Sequence, residues 1–129
     1  MIVVDASAIL AILFDEPEGP GFRDHLVAAG AVISPVNHWE VLVTAHVRLG
    51  AEGVAAAERL MAVLMVDVAP ISGEHSRLAA EASRRFGKSS AARLNLGDCF
   101  AYALAKVEGE GLLFKGDDFP KTDVKPALP

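Results

Sequence analysis

Met1-Ile2-Val3-Val4-Asp5-Ala6-Ser7-Ala8-Ile9-Leu10 is the stretch on which the fold turns. Its first four residues, apolar and rich in valine, predict a short buried strand. Asp5 stops that strand, and from Ala6 to Phe14 the apolar positions recur at helical spacing, with Ser7 placed to cap the first turn. A strand that passes directly into a helix is the opening unit of a parallel sheet covered by helices. It also leaves an acid at the carboxyl end of the strand, the edge where open parallel sheets bind their ligands.

The same alternation continues outward. Asp15-Glu16-Pro17-Glu18-Gly19 breaks the first helix, and a second is expected over Gly21–Ala29, ended by Gly30. Ala31–Ser34 reads as a second strand. Pro35 opens a helix to about Arg48, Gly50 ends it, and an Ala-rich helix follows over Ala51–Met65. Val66–Ala69 predicts a third strand and Ser72–Phe86 a helix, whereas Gly87–Asn95 is polar and basic, a loop by composition. Leu96–Val107 reads as a helix capped by Asn95, Leu112–Phe114 as a fourth strand, and Asp123–Lys125 as an edge strand in the tail. The whole predicts one α/β domain over residues 1–129, with a mostly parallel sheet of four to five strands covered on both faces.

Composition narrows the class. Apolar residues make up 52% and aromatics only 6%, so the core must be built from Ala, Val, Leu and Ile. No run reaches the roughly 18 apolar residues of a membrane span, and Asp5 interrupts the apolar start without a basic segment before it, unlike a signal peptide. The single cysteine, Cys99, excludes an internal disulfide and suits a reducing cytoplasm, so a soluble cytoplasmic protein is expected. The net charge of −5 argues against nucleic acid taken alone. Its distribution argues less: nine of the twelve Lys and Arg lie from Arg77 onward, with Arg84, Arg85, Lys88 and Arg93 close together. That strip is either a solvated helix end or a surface for phosphates.

The acids fall in a pattern. Asp5 ends the first strand, Asp117 and Asp118 follow the fourth, Glu40 lies early in the helix after the second, and Asp98 opens the helix near Leu96. All belong at one edge of the sheet. Each has a plainer reading: Asp5 as a helix cap, Glu40 as a surface acid, Asp117 and Asp118 as a turn. Asp98, set among Leu96, Cys99, Phe100 and Ala101, is harder to explain that way, because an unpaired buried acid is costly. Clustered carboxylates without a His or Cys cage suit a hard cation, Mg²⁺ or Mn²⁺.

With these residues assembled, the chain resembles the PIN-domain family, in particular its VapC-type toxins. The resemblance rests on Ile2-Val3-Val4-Asp5-Ala6-Ser7-Ala8, Trp39-Glu40, Leu96-Gly97-Asp98-Cys99-Phe100-Ala101-Tyr102-Ala103-Leu104-Ala105, and Leu112-Leu113-Phe114-Lys115-Gly116-Asp117-Asp118-Phe119 with Thr122-Asp123-Val124. It implies a three-layer α/β/α fold and an acidic site at Asp5, Glu40, Asp98 and one acid of the Asp117-Asp118 pair, with Asp118, directly before the Phe, the better match, Asp117 beside it, and Ser7 supporting the first acid. Ala6 departs from the family, where Thr or Ser is common. The resemblance further implies an endoribonuclease dependent on Mg²⁺ or Mn²⁺, a homodimer, and inhibition by a VapB-like antitoxin.

Other classes fit less well. A receiver domain needs an acceptor Asp after a middle strand, where only Asp67 is near, and a haloacid-dehalogenase-like phosphatase needs a second Asp where Ser7 stands. A metal-binding PIN scaffold that binds RNA or protein without cutting is the alternative that remains. His25, His38, His46 and His75 are not spaced as a metal set. Trp39 is read as an anchor in the core or at a dimer face, and Cys99 as a small buried apolar residue.

Overall fold

A computed structural model describes residues 1–128. Its elements run β1 (Ile2–Val4), α1 (Ala6–Leu13), α2 (Gly19–Ala29), β2 (Ala31–Ile33), α3 (Pro35–Val63), β3 (Val66–Val68), α4 (Gly73–Phe86), α5 (Leu96–Glu108) and β4 (Leu112–Leu113), followed by a 3₁₀ turn at Phe119–Lys121. The strands form one sheet in the order β3-β2-β1-β4, every pair parallel.

Period-two alternation along these short strands divides the apolar residues between two cores. Val4, Ile33 and Leu113 face α1, α2 and α3, where Ile9, Leu26 and Val41 are fully enclosed. Val3, Val32 and Leu112 face α4 and α5, packing with Ala79, Leu94 and Leu104. Each fully buried Leu, Ile or Val contributes about 1.5–3 kcal/mol by leaving water. The result is a three-layer α/β/α fold. Because all four strands point the same way, their carboxyl ends share one edge.

Two local expectations need correction, and a third holds. Asp5, not Ser7, caps α1: its extended backbone (φ −81°, ψ 154°) puts it at the cap position, and its carboxylate accepts from the Ser7 N–H. Ser7 stands two residues inside the helix, where its N–H needs an acceptor. The break expected at Gly50 is present: its φ of 71° and ψ of −158° leave the helical region, so Pro35–Val63 is two helical stretches that meet at a kink there. The expected edge strand near Asp123–Lys125 is reduced to a bridge between Leu112 and Pro126, with Leu112 N–H donating to the Lys125 carbonyl and Ala127 N–H to that of Leu112. Proline has no N–H to carry a ladder further. Pro129, the end of that tail, lies outside the described residues.

Candidate active site

The carboxyl edge collects the acids by three routes. β1 delivers Asp5 directly, buried to 4% exposure and fixed by its cap bond to Ser7 at 3.0 Å. β2 is followed by Ser34, which caps α3 by accepting from the Asn37 N–H at 3.0 Å, and the next turn of α3 presents Glu40. The loop before α5 ends at Asn95, whose side chain accepts from Asp98 N–H at 2.8 Å while the Asp98 carboxylate accepts from Asn95 N–H at 3.0 Å. This reciprocal box fixes Asp98 on the first turn, where the helix dipole favours its charge.

Two supports lie in none of the acids. Asn37 is completely buried, and its Nδ2 donates to Glu40 Oε1 at 2.8 Å and to the Gly97 carbonyl at 3.0 Å, while its Oδ1 accepts from Ser34 Oγ at 2.6 Å. It therefore ties Glu40 to the start of α5. Gly97 completes the joint, since a Cβ there would overlap the Glu40 carboxylate. Ser7 has a second bond, its Oγ accepting from Lys115 N–H at 2.9 Å, which pins the segment leaving β4 to α1. Asp117 and Asp118 follow on that segment, both exposed, with Asp118 immediately before the 3₁₀ turn.

The acids sense one another. Burial pushes Asp5 up to about 6, and the charge of Glu40 adds to it against hydrogen bonding from Ser7. Burial likewise pushes Asp98 up to about 6, helped by Asp5 and Asp118 and opposed by the Asn95 N–H. Glu40 is raised by burial and by Asp98, against the bond from Asn37. So Asp5, Glu40, Asp98 and Asp118 form one electrostatic group, and Asp117 is not part of these couplings. None of the four has a Lys, Arg or His within ion-pair distance among the described residues.

A sequence profile described as the PIN domain matches residues 2–125. Ribonuclease VapC42 of Mycobacterium tuberculosis is 38% identical over 129 residues, covering 98% of each chain. The chain belongs to the PIN-domain family. Ribonuclease VapC30 of the same organism is 36% identical over 95% of each chain, and a ribonuclease VapC of Mycolicibacterium smegmatis is 38% identical over 95% of this chain and 97% of its own. The PIN fold is matched by the crystal structure of Mycobacterium tuberculosis VapC20, a toxin that cleaves the sarcin-ricin loop, with a TM-score of 0.73 at 19% identity, over 98% of this chain and 100% of that one.

Does this PIN domain suit a divalent cation? Among the described residues, no three His, Cys, Asp or Glu side chains already stand together as a ready-made cage. Each carboxylate is instead held back on its own element, Asp5 by Ser7, Glu40 by Asn37 and Asp98 by Asn95. The donor set is nonetheless all hard oxygen and has no basic neighbour. That fits Mg²⁺ or Mn²⁺, which keep several waters and need only one or two direct carboxylates.

Sequence reasoning overlooked Asn37, although an Asn three residues before Glu40 shares its helix face. Of the two readings of Trp39, its 61% exposure excludes an anchor in the core and leaves an anchor at a dimer face. Cys99 is buried and unpaired, as read. No helix among the described residues is long and apolar enough to cross a membrane.

Proposed function

We propose that the chain is a divalent-cation-dependent endoribonuclease and the toxin of a toxin–antitoxin pair. The observation that carries this reading is the group of four acids at the carboxyl edge of the sheet with no cationic partner. The names of its relatives, ribonucleases VapC42 and VapC30, support the substrate and reaction class.

Asp5 and Asp98 would hold the principal cation, with Glu40 and Asp118 reaching it through water. When bound, the cation would neutralise charge at the scissile phosphate and make water more acidic. Glu40 is suited to take a proton from the attacking water: Asn37 fixes one carboxylate oxygen, the other has no partner among the described residues, and burial moves its affinity for protons toward neutrality. Ser7 positions the segment bearing Asp118 and has no role as nucleophile.

An antitoxin whose basic segment places an Arg among these carboxylates would silence the enzyme by charge-assisted pairing in place of the cation. The exposed row Trp39, Val43 and Val47 on one face of α3 supports assembly as a homodimer.

The experiment is cleavage of total RNA by the purified protein in Mg²⁺, mapped by end sequencing. Wild type is expected to cut at defined sites, and Asp98→Asn to lose cutting while keeping its circular dichroism spectrum. RNA that binds but is never cut would favour the non-cleaving scaffold.

A further inference from the structure

The basic strip between α4 and α5 has no part in the carboxylate centre, yet its Lys88 lines a cavity of about 560 Å³ that reaches the same turn of α5. That volume lies within the roughly 300–1,000 Å³ usual for small-ligand clefts. Part of its lining is apolar, with Ala79, Leu94 and the aromatic Phe100. Its rim is polar, with Ser83 from α4 and Lys88 and Ser89 from the following loop. Asn95 is shared: it lines the cavity and also caps α5 against Asp98. Asn95 is thus the residue that joins the cavity to the carboxylate centre.

Charge selects the occupant. Arg84, Lys88 and Arg93 are exposed and have no acid within ion-pair distance among the described residues, in contrast to Arg85, which reaches Glu81 and Asp123. Arg93 also has a left-handed backbone, φ 56°, with its N–H donated to Ser90 Oγ at 3.3 Å. A non-glycine residue in that conformation is strained, and such strain gathers where a loop is shaped for a ligand. An unneutralised Lys88 on the lining of an apolar slot, with Arg84 and Arg93 each next in sequence to a lining residue, matches a nucleotide: phosphates to the rim, a base to the apolar lining.

We propose that the α4–α5 cavity is the base-binding subsite for a nucleotide of single-stranded RNA next to the scissile phosphate, with Phe100 and Leu94 against the base, Ser83 and Ser89 reading its edge, and Lys88 and Arg93 on the adjoining phosphates. This assignment rests on the ribonuclease reading. A duplex cannot use the subsite without unstacking, so single strands or loops are the substrates.

The test is to fill the cavity from its rim. Ala80 lines it and is exposed, so Ala80→Leu narrows the slot without disturbing the core. Wild type and Ala80→Leu are each given a random single-stranded RNA 12-mer library with Mg²⁺, and the cut ends are sequenced. Wild type is expected to prefer one base at a position flanking the cut. Ala80→Leu is expected to erase that preference and to lower kcat/KM on the preferred sequence about ten-fold, in line with losing one stacked base. Lys88→Gln, on the exposed loop, serves as a second variant: it is expected to weaken binding for all sequences alike and to leave the preference intact.

An unchanged base preference in Ala80→Leu, with the melting temperature maintained, overturns the subsite. If wild type cuts no RNA, the ribonuclease reading fails, and fluorescence anisotropy of a labelled RNA 12-mer still decides the cavity. Weaker binding by Ala80→Leu than by wild type supports the subsite, and equal binding overturns it. Loss of affinity for a co-expressed antitoxin with RNA binding unaltered also overturns it, assigning the cavity to a protein partner.

Discussion

At its first turn α5 carries Asp98; further along, the same helix meets Asp123, and the two acids are treated in opposite ways. Asp123 accepts from the Tyr102 hydroxyl at 2.6 Å and from Lys106 Nζ at 3.1 Å, with Arg85 at 3.5 Å. Those partners hold its carboxyl below the ordinary range, the Tyr102 bond first among them. Asp98 has only backbone and cap bonds, burial drives its carboxyl up to about 6, and the negative charges of Asp5 and Asp118 add to that rise. One acid is neutralised from within the chain, and the other has no cationic partner among the described residues. A fold that satisfies Asp123 this fully leaves Asp5, Glu40 and Asp98 without cations for a reason other than lack of them. Sites held at a cost to stability are where function is found.

The contrast can be broken most sharply by exchanging charge for an isosteric amide. Asp98→Asn is expected to cut RNA about 10²–10³-fold more slowly, the usual loss when one electrostatic stabiliser is removed, with the fold intact by circular dichroism. Cleavage at the wild-type rate would place the chemistry elsewhere.

Next comes the pH dependence of stability in EDTA. Asp5 is raised from 3.8 to about 6, so the folded state holds its proton more tightly than the unfolded chain. Its contribution is therefore favourable at low pH and is lost as pH rises from about 4 through about 6, amounting to about 3 kcal/mol by neutrality. Urea unfolding of wild type and Asp5→Asn should diverge across that window, the variant being the more stable at pH 7. Curves that stay parallel from pH 4 to 7 would mean that Asp5 is not strained by burial.

The joint at Glu40 gives a smaller and more selective effect. Gly97→Ala should displace the Glu40 carboxylate and lower activity about 10–100-fold, typical of a displaced supporting contact. Helix stability should not fall, because Ala is the better helix former. Asn37→Ala should lose similar activity and also about 1–3 kcal/mol of stability, since it orphans buried polar groups. Equal losses of stability in both variants would show that Gly97 serves packing alone.

Smallest is Asp123→Asn. Its side chain is 46% exposed, so its ion pairs are screened and the expected loss is about 1 kcal/mol or less, read as a slightly lower Tm with RNA cleavage unchanged. A fall in cleavage would erase the distinction between the two acids.

How legible this was depended on sequence distance. The strand, acid and helix at Ile2–Leu13 are local, so periodicity and one stop residue sufficed. The same holds for Asn95 capping α5 over Asp98. Ser7 looked like a cap because its partner, Lys115, lies 108 residues away. Asn37 was invisible as a support because its bond to Gly97 spans 60 residues. Asp123 read as part of a strand, since nothing near it in sequence announces Tyr102 or Arg85. The acids themselves could be placed at one edge from strand ends alone, whereas the groups that orient them come from packing between α3 and α5, which no short window contains.

Calorimetric titration of Mn²⁺ into wild type and Asp98→Asn at neutral pH tests the central claim most directly. Saturable binding to wild type, abolished or weakened at least about ten-fold in the variant, is the predicted result. Equal binding by the two proteins, or none by wild type, would contradict it.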